Sequence, residues 1–162
     1  MKNLVNSSIF LIVLMSFSFI ACEKENEYIQ QLIDDEIEDR EAYLEDNGIT
    51  EDSKTASGLY YIETEEGSGV QPIAGDIVHV HYEGRFLNGS IFDSSYQRKV
   101  PIKFTLGQGE VIAGWDEAIT LMKEGGTAQL IIPSDLAYGA TGNSGIPGYT
   151  TLMFYVELVD VE

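Results

Sequence analysis

Cysteine is almost missing from this chain. Cys22 is the single one in 162 residues, and there are two histidines. An intramolecular disulfide is therefore excluded, and no further Cys or His stands ready to complete a metal site around His79 and His81. Positive charge is also scarce, with 9 Lys and Arg against 27 Asp and Glu and a formal net charge of -18. A polyanion would be repelled, so nucleic acid is excluded as a partner. The one long apolar run, Ile9 to Ile20, is shorter than the roughly 20 residues that span a bilayer as a helix. There is no Gly-x-Ser-x-Gly elbow, and the only thiol lies near the amino end, so nothing supports a Ser-His-Asp or Cys-His nucleophile. "GQGEVIAG" lacks a glycine where Ile112 stands, and no parallel βαβ pattern surrounds it, so it is not a dinucleotide fingerprint. Internal repeats and Pro-rich linkers are likewise absent.

The first residues, MKNLVNSSIFLIVLMSFSFIAC, run from Lys2 through the apolar stretch to Ala21 and Cys22. That is the layout of an export signal, with a transmembrane anchor as the alternative. A cysteine directly after a small residue at the end of such a signal resembles the processing site of bacterial lipoproteins, in which it is lipidated and becomes the mature amino terminus. The resemblance implies residues 1–21 as signal peptide and Cys22 as lipidation site. Several acyl chains there would hold a domain stably at a membrane surface.

Residues 22–56 form an acidic segment in which Ile29, Leu32, Ile33, Ile37 and Leu44 recur at helical spacing and Asn47-Gly48 signals the stop. Its outer face is mostly uncompensated carboxylate. Either it is a solvated helical spacer, or it serves dimerisation or client docking.

From Ser57 the pattern changes to short alternating runs broken by glycine. Leu59–Glu65, Ile77–Phe86, Pro101–Phe104, Thr127–Ile132 and Thr151–Val159 read as strands, and Asn88-Gly89 closes a hairpin after the second. One short helix, Ala113–Met122, remains to cover them. The expected fold is α+β, a twisted antiparallel sheet of about five strands wrapped around one short helix. On the second strand Val78, Val80 and Tyr82 take the buried face, which leaves His79 and His81 outward. Trp115, the only tryptophan, shares helical spacing with Val111, Ile112, Ile119 and Met122 and lies under the sheet, as core or as part of a site.

"VHVHYEG", "NGSIFDSS", "IKFTLGQGEVIAGWDEAI", "GGTAQLIIPSDLAYGATG" and "TLMFYVEL" occur in the order and spacing of the FKBP-type peptidyl-prolyl cis-trans isomerases. The chain resembles that family over residues 57–162, and its leader and acidic segment look like those of envelope lipoprotein members. The resemblance implies a cofactor-free, metal-free isomerase of X-Pro bonds that assists folding of exported proteins from a lipid anchor in the bacterial cell envelope. Its implied partners are Pro-containing polypeptides and the macrolide inhibitors of the family. Alternatives of other classes are a Pro-segment binding module without turnover and a structural envelope lipoprotein.

Carried over by position, the resemblance implies a pocket with Trp115 as floor and Tyr82, Phe92, Val111, Ile112, Tyr138 and Phe154 as walls. The Ile112 N–H and the Tyr138 hydroxyl would hold carbonyls, Tyr82 and Asp93 would hydrogen-bond each other, and Ile146 would close over the top. The alternative reading of Asp93 is a turn cap before Ser94-Ser95. Three positions depart from the family's usual pattern: Ile102 for a Phe in the pocket wall, Asn143 for a His, and Gly148 for the second Pro of an Ile-Pro-Pro loop.

Overall fold

The computed structural model describes the backbone of Lys2–Glu162, with side chains from Lys24 onward. Cys22 and the leader's apolar side chains fall outside the described residues, and among the described residues no helix is long and apolar enough to cross a membrane. The chain divides into two compact units, residues 1–37 and 38–162. The first lies within helix α1, Lys2–Asp46. There Ile29, Leu32 and Ile33 are half-buried while Tyr28 and Ile37 are exposed, and Gln30 and Gln31 donate to Asp34 and Asp35 one turn on.

The second unit holds the end of α1, then β1 (Tyr60–Glu65), β2 (Ile77–Phe86), β3 (Ile91–Ser94), the single-turn α2 (Ser95–Arg98), β4 (Ile102–Thr105), α3 (Ala113–Leu121), β5 (Thr127–Ile132) and β6 (Leu152–Val161). All pairings are antiparallel, in the order β1-β5-β6-β2-β3, with β4 also on β2. The sheet has six strands where the sequence suggests about five. The extra one, β3, is four residues long and carries no clean alternation.

Alternation along β2 works as expected. Val78, Val80 and Tyr82 are buried on one face and His79 and His81 are half-buried on the other. On the inner face they join Leu130, Ile132, Leu152, Phe154, Val156 and Leu158 against Trp115, Ala118 and Ile119 of α3. Helix and sheet approach closely because position 114 is glycine: a Cβ there would lie 2.6 Å from Ile132 Cγ2. The structure thus gives Gly114 a packing role.

The sheet's other face is covered too. Helix α1 ends in a left-handed cap in which Ile49 N–H bonds Leu44 C=O at 2.9 Å and Gly48 N–H bonds Glu45 C=O at 3.1 Å, the paired bonds of a Schellman motif. Leu44 packs on Tyr60, Ile131 and Met153, with Tyr43, Ile49 and Ile62 around them. Tyr43 Oη lies 2.9 Å from Met153 Sδ and accepts from Gln129 Nε2 at 3.1 Å. Residues that read as spacer in the sequence therefore cover apolar sheet surface.

Candidate active site

β6 pairs with β2 along nearly its whole length, so β3 and β4 share β2's other edge, β3 against residues 83–85 and β4 against 77–80. Between them the edge is interrupted at His81 and Tyr82. The cavity opens there.

A bulge shapes the cavity wall. Gly84 pairs with Asp93 but Arg85 with Ile91, leaving Phe92 as an extra residue. A bulge breaks the pleat, so Phe92 and Asp93, neighbours in sequence, both line the cavity. Phe92 lies directly over Gly84, where a Cβ would stand 2.6 Å from Phe92 Cζ and 2.9 Å from Phe154 Cε1.

The cavity has a volume of about 170 Å³ and is lined by Tyr82, Phe92, Asp93, Ile102, Glu110, Val111, Ile112, Trp115, Tyr138 and Phe154. Trp115 forms the floor at 3% exposure. Its ring meets Tyr82 and Phe154 edge-on, at centroid distances of 5.0 and 5.3 Å, and Phe154 meets Phe92 in the same way at 5.6 Å. Such edge-to-face sets are rigid, and each pair adds about 0.5–1.5 kcal/mol beyond area burial. The Trp115 indole N–H is buried with no hydrogen-bond partner among the described residues. Ile112 is the N-cap of α3, and its C=O accepts from Trp115 and Asp116; its own N–H precedes the helix and is not used by it. Asp116 ties the preceding loop to the helix by accepting from Gly107 N–H at 2.9 Å and Gly109 N–H at 3.0 Å.

The polar side of the cavity is one connected group. Tyr82 donates its hydroxyl to Asp93. Arg98 pairs with Asp93 and donates from Nη2 to Tyr82 Oη at 2.7 Å, its guanidinium 5.6 Å from the centre of the Tyr82 ring. Asp93 also accepts from Ser94 N–H at 2.8 Å, so it caps the turn and faces the cavity at once. Burial alone would raise the Asp93 pKa, but the bonds from Arg98 and Tyr82 outweigh burial and hold it below the usual carboxylate value. Tyr82 is pushed up, first by burial and then by its bond to Asp93.

Ile146 lines an adjoining recess with Phe92, Asp93, Tyr138, Asn143, Ser144 and Gly145. The loop carrying it is a tight hairpin, Asn143 and Ile146 exchanging backbone bonds of 2.9 and 2.7 Å. Gly148 is required by this arrangement. A Cβ at that position would lie 2.0 Å from the Ala140 carbonyl oxygen, so a proline has no room here.

The structure therefore gathers Tyr82, Phe92, Asp93, Ile102, Val111, Ile112, Trp115, Tyr138 and Phe154 into one cavity, with Ile146 beside it. The sequence reading missed Glu110 and Arg98. Glu110 was legible as the residue before Val111. Arg98 carried no signal, because its reach to Tyr82, sixteen positions away, depends on the turn of α2. On the outward face, His79 Nε2 lies 2.8 Å from Glu162 Oε1, with Lys103 Nζ 3.1 Å from both Glu162 oxygens.

Residues 69–159 match the FKBP-type peptidyl-prolyl cis-trans isomerase family. The chain belongs to this family. Among FKBP relatives, an FK506-binding protein of Neisseria meningitidis serogroup B is 49% identical over 105 residues, which cover 64% of this chain and 96% of that protein. The FkpA isomerase of Escherichia coli K12 is 44% identical over 124 residues, 76% of this chain. The match spans less than half the length of the FkpA relatives, 44% in E. coli and 42% in Buchnera aphidicola. Two solved FKBP structures are similar. The crystal structure of AtFKBP13 has a TM-score of 0.64 at 38% identity and covers 68% of this chain and 98% of its own. That of FkpA from Escherichia coli has a TM-score of 0.73 at 35% identity and covers 93% of this chain and 70% of its own. The six-stranded antiparallel sheet on α3 is thus an FKBP fold.

Proposed function

We infer that this protein catalyses cis-trans isomerisation of X-Pro bonds in polypeptides and that it works from a lipid anchor on Cys22. The aromatic cavity floored by Trp115 and edged by Tyr82, Asp93 and Arg98, in a chain of the FKBP family, carries the first part.

Rotation about a peptide bond must overcome about 18–20 kcal/mol of amide resonance, and the X-Pro isomers differ by only about 0.5–1 kcal/mol. No bond to another atom is made. A thousandfold acceleration therefore needs only about 4 kcal/mol of preferential binding to the twisted amide. The twisted amide has lost charge separation between its O and N, and an apolar cavity accommodates it better than the planar, more polar ground state. Trp115, Phe92 and Phe154 would grip the prolyl ring, while the Ile112 N–H and the Tyr138 hydroxyl would orient the flanking carbonyls. Asp93 is engaged by Arg98, Tyr82 and Ser94 and has no proton to transfer. Its role is to hold Tyr82. The full protein is expected to speed isomerisation of a short X-Pro tetrapeptide at least a hundredfold over solvent, measured by protease-coupled or exchange NMR assay. Binding of the peptide without acceleration would make it a Pro-segment binding module instead.

The lipid anchor rests on the sequence around Cys22, an apolar run ending in Ala21 before the only cysteine. It implies a location in the bacterial cell envelope and work on exported chains. Wild-type protein is expected in the membrane fraction and to incorporate labelled palmitate, and Cys22→Ser to lose both. Equal partitioning and processing of the two forms would overturn the anchor.

A further inference from the structure

The interruption in β2's edge at Tyr82 must be filled, because an unpaired buried backbone N–H and C=O are costly. Ser95 fills it. Its hydroxyl accepts from Tyr82 N–H at 2.7 Å and lies 3.1 Å from Tyr82 C=O, standing in for the strand residue that β3 would have supplied had it not turned into α2. Ser95 is fully buried. It opens α2, so the same turn that ties it to Tyr82 sets Asp93, two residues earlier, and Arg98, three residues later, on the Tyr82 hydroxyl.

A side chain, His81, also reaches the Ser95 hydroxyl. His81 Nδ1 lies 2.9 Å from Ser95 Oγ, and its ring stacks on Tyr96 of α2 with centroids 4.7 Å apart and planes 15° apart. A serine hydroxyl has one proton. When His81 is neutral with its proton on Nε2, Nδ1 and Tyr82 C=O compete for that proton. When His81 is charged, Nδ1–H donates to Ser95, whose proton then turns to Tyr82 C=O, and both backbone groups of Tyr82 are satisfied.

We propose that Ser95 and His81 form a positioning pair for the isomerase site, and that protonation of His81 tightens the anchoring of Tyr82 and so raises turnover. The turnover part rests on the isomerase reading above; the anchoring part does not. The titratable and charged groups around His81 come from β2, β4, β6 and α2. Glu157 of β6 is directly opposite His81 and accepts from the Tyr96 hydroxyl at 2.9 Å. Glu83 and His79 are two residues away on β2, and Lys103 of β4 pairs opposite His79. The Tyr96 hydroxyl, pushed up to about 12 by burial and by Glu157, stays a donor throughout. Asp93 below its usual range and Tyr82 above its own keep their charges between about pH 5 and 8. His79 is the remaining histidine and serves as the control.

Two measurements on the full chain test this: turnover of an X-Pro tetrapeptide from pH 8 to 5.5, and hydrogen-exchange protection of the Tyr82 amide relative to its intrinsic rate. In the wild type both should rise about threefold as the pH falls, the scale of one neutral hydrogen bond. His81→Phe keeps the ring stack without the nitrogen and should flatten both profiles, whereas His79→Gln should leave them as in the wild type. Ser95→Ala should lower Tyr82 protection and kcat/KM about tenfold, mainly through kcat, with Ser95→Thr recovering part of each. A wild-type pH profile retained in His81→Phe, or full Tyr82 protection in Ser95→Ala, overturns the proposal. If the wild type shows no turnover at all, the isomerase reading fails, and amide protection alone decides whether the pair positions Tyr82.

Discussion

Folded Trp115→Leu protein is expected to isomerise X-Pro peptides at least tenfold more slowly than the wild type, and to unfold about 2–3 kcal/mol more easily. The two effects have one origin. Trp115 is 3% exposed and touches three aromatic rings, Tyr82 at 5.0 Å, Phe154 at 5.3 Å and Phe104 at 6.0 Å. Leucine is narrower and branched, so it leaves a gap on the core side and removes the flat surface on the cavity side. Loss of the gap-filling contacts lowers stability, and loss of the flat floor lets the prolyl ring take several orientations instead of one. Because Trp115 is the sole indole in the chain, its fluorescence also reports directly on the cavity. Emission should change when a proline-containing peptide saturates the wild type. A folded variant with undiminished turnover, together with wild-type emission indifferent to peptide, would make Trp115 a core residue and nothing more.

The second large effect lies on the opposite face of the sheet. Leu44→Ala is expected to lower stability by about 2 kcal/mol, on the order of 5–10 °C in Tm, while leaving kcat/KM of the folded fraction near that of the wild type. Leu44 is 6% exposed and packs on Tyr60, Ile131 and Met153. β1, β5 and β6 each supply one of those partners, so the helix end clasps three strands. A fragment beginning near Ser53 loses Tyr43, Leu44 and Ile49 together and should be less stable still. Its cavity residues all lie beyond that point, so its turnover at a temperature where it is folded should match the full chain. Thermal melts of the variant and the fragment, paired with peptide assays below their midpoints, separate stability from catalysis. An unchanged melting temperature would mean that α1's last turns contribute no net packing. Reduced turnover in the folded fragment would mean that they act on the site.

Much of this molecule could be read one residue at a time. The alternation of β2 places Val78, Val80 and Tyr82 inward because side-chain direction in a strand has a period of two, a purely local rule. The Asn88-Gly89 turn and the Asn47-Gly48 helix stop are equally local, set by which residues tolerate tight backbone turns. The cavity's apolar lining was legible through the family's motifs, whose order and spacing the sequence retains. That route led to Tyr82, Asp93, Trp115 and Tyr138 and to the bond between Tyr82 and Asp93, but it said nothing of Arg98 or of why Asp93 stays charged.

The sequence by itself determined the fold class, the hydrophobic inner face and the strong negative charge, which follow from composition and short-range pattern, and it marked the aromatic pocket set through its resemblance to the family. Only the tertiary structure decided that Phe92 bulges so that it and Asp93 share a face, that Arg98 closes on Tyr82, and that Ser95 spans the gap between β3 and β4. Only it decided that Leu44 and Tyr43 cover the outer sheet, through a contact between Tyr43 and Met153 that are 110 residues apart. Likewise, the Ala140 carbonyl excludes a side chain at position 148. Each of these depends on groups that are distant along the chain and become neighbours only after the strands have paired, and no propensity of a single segment encodes which distant atom will stand 2 or 3 Å away.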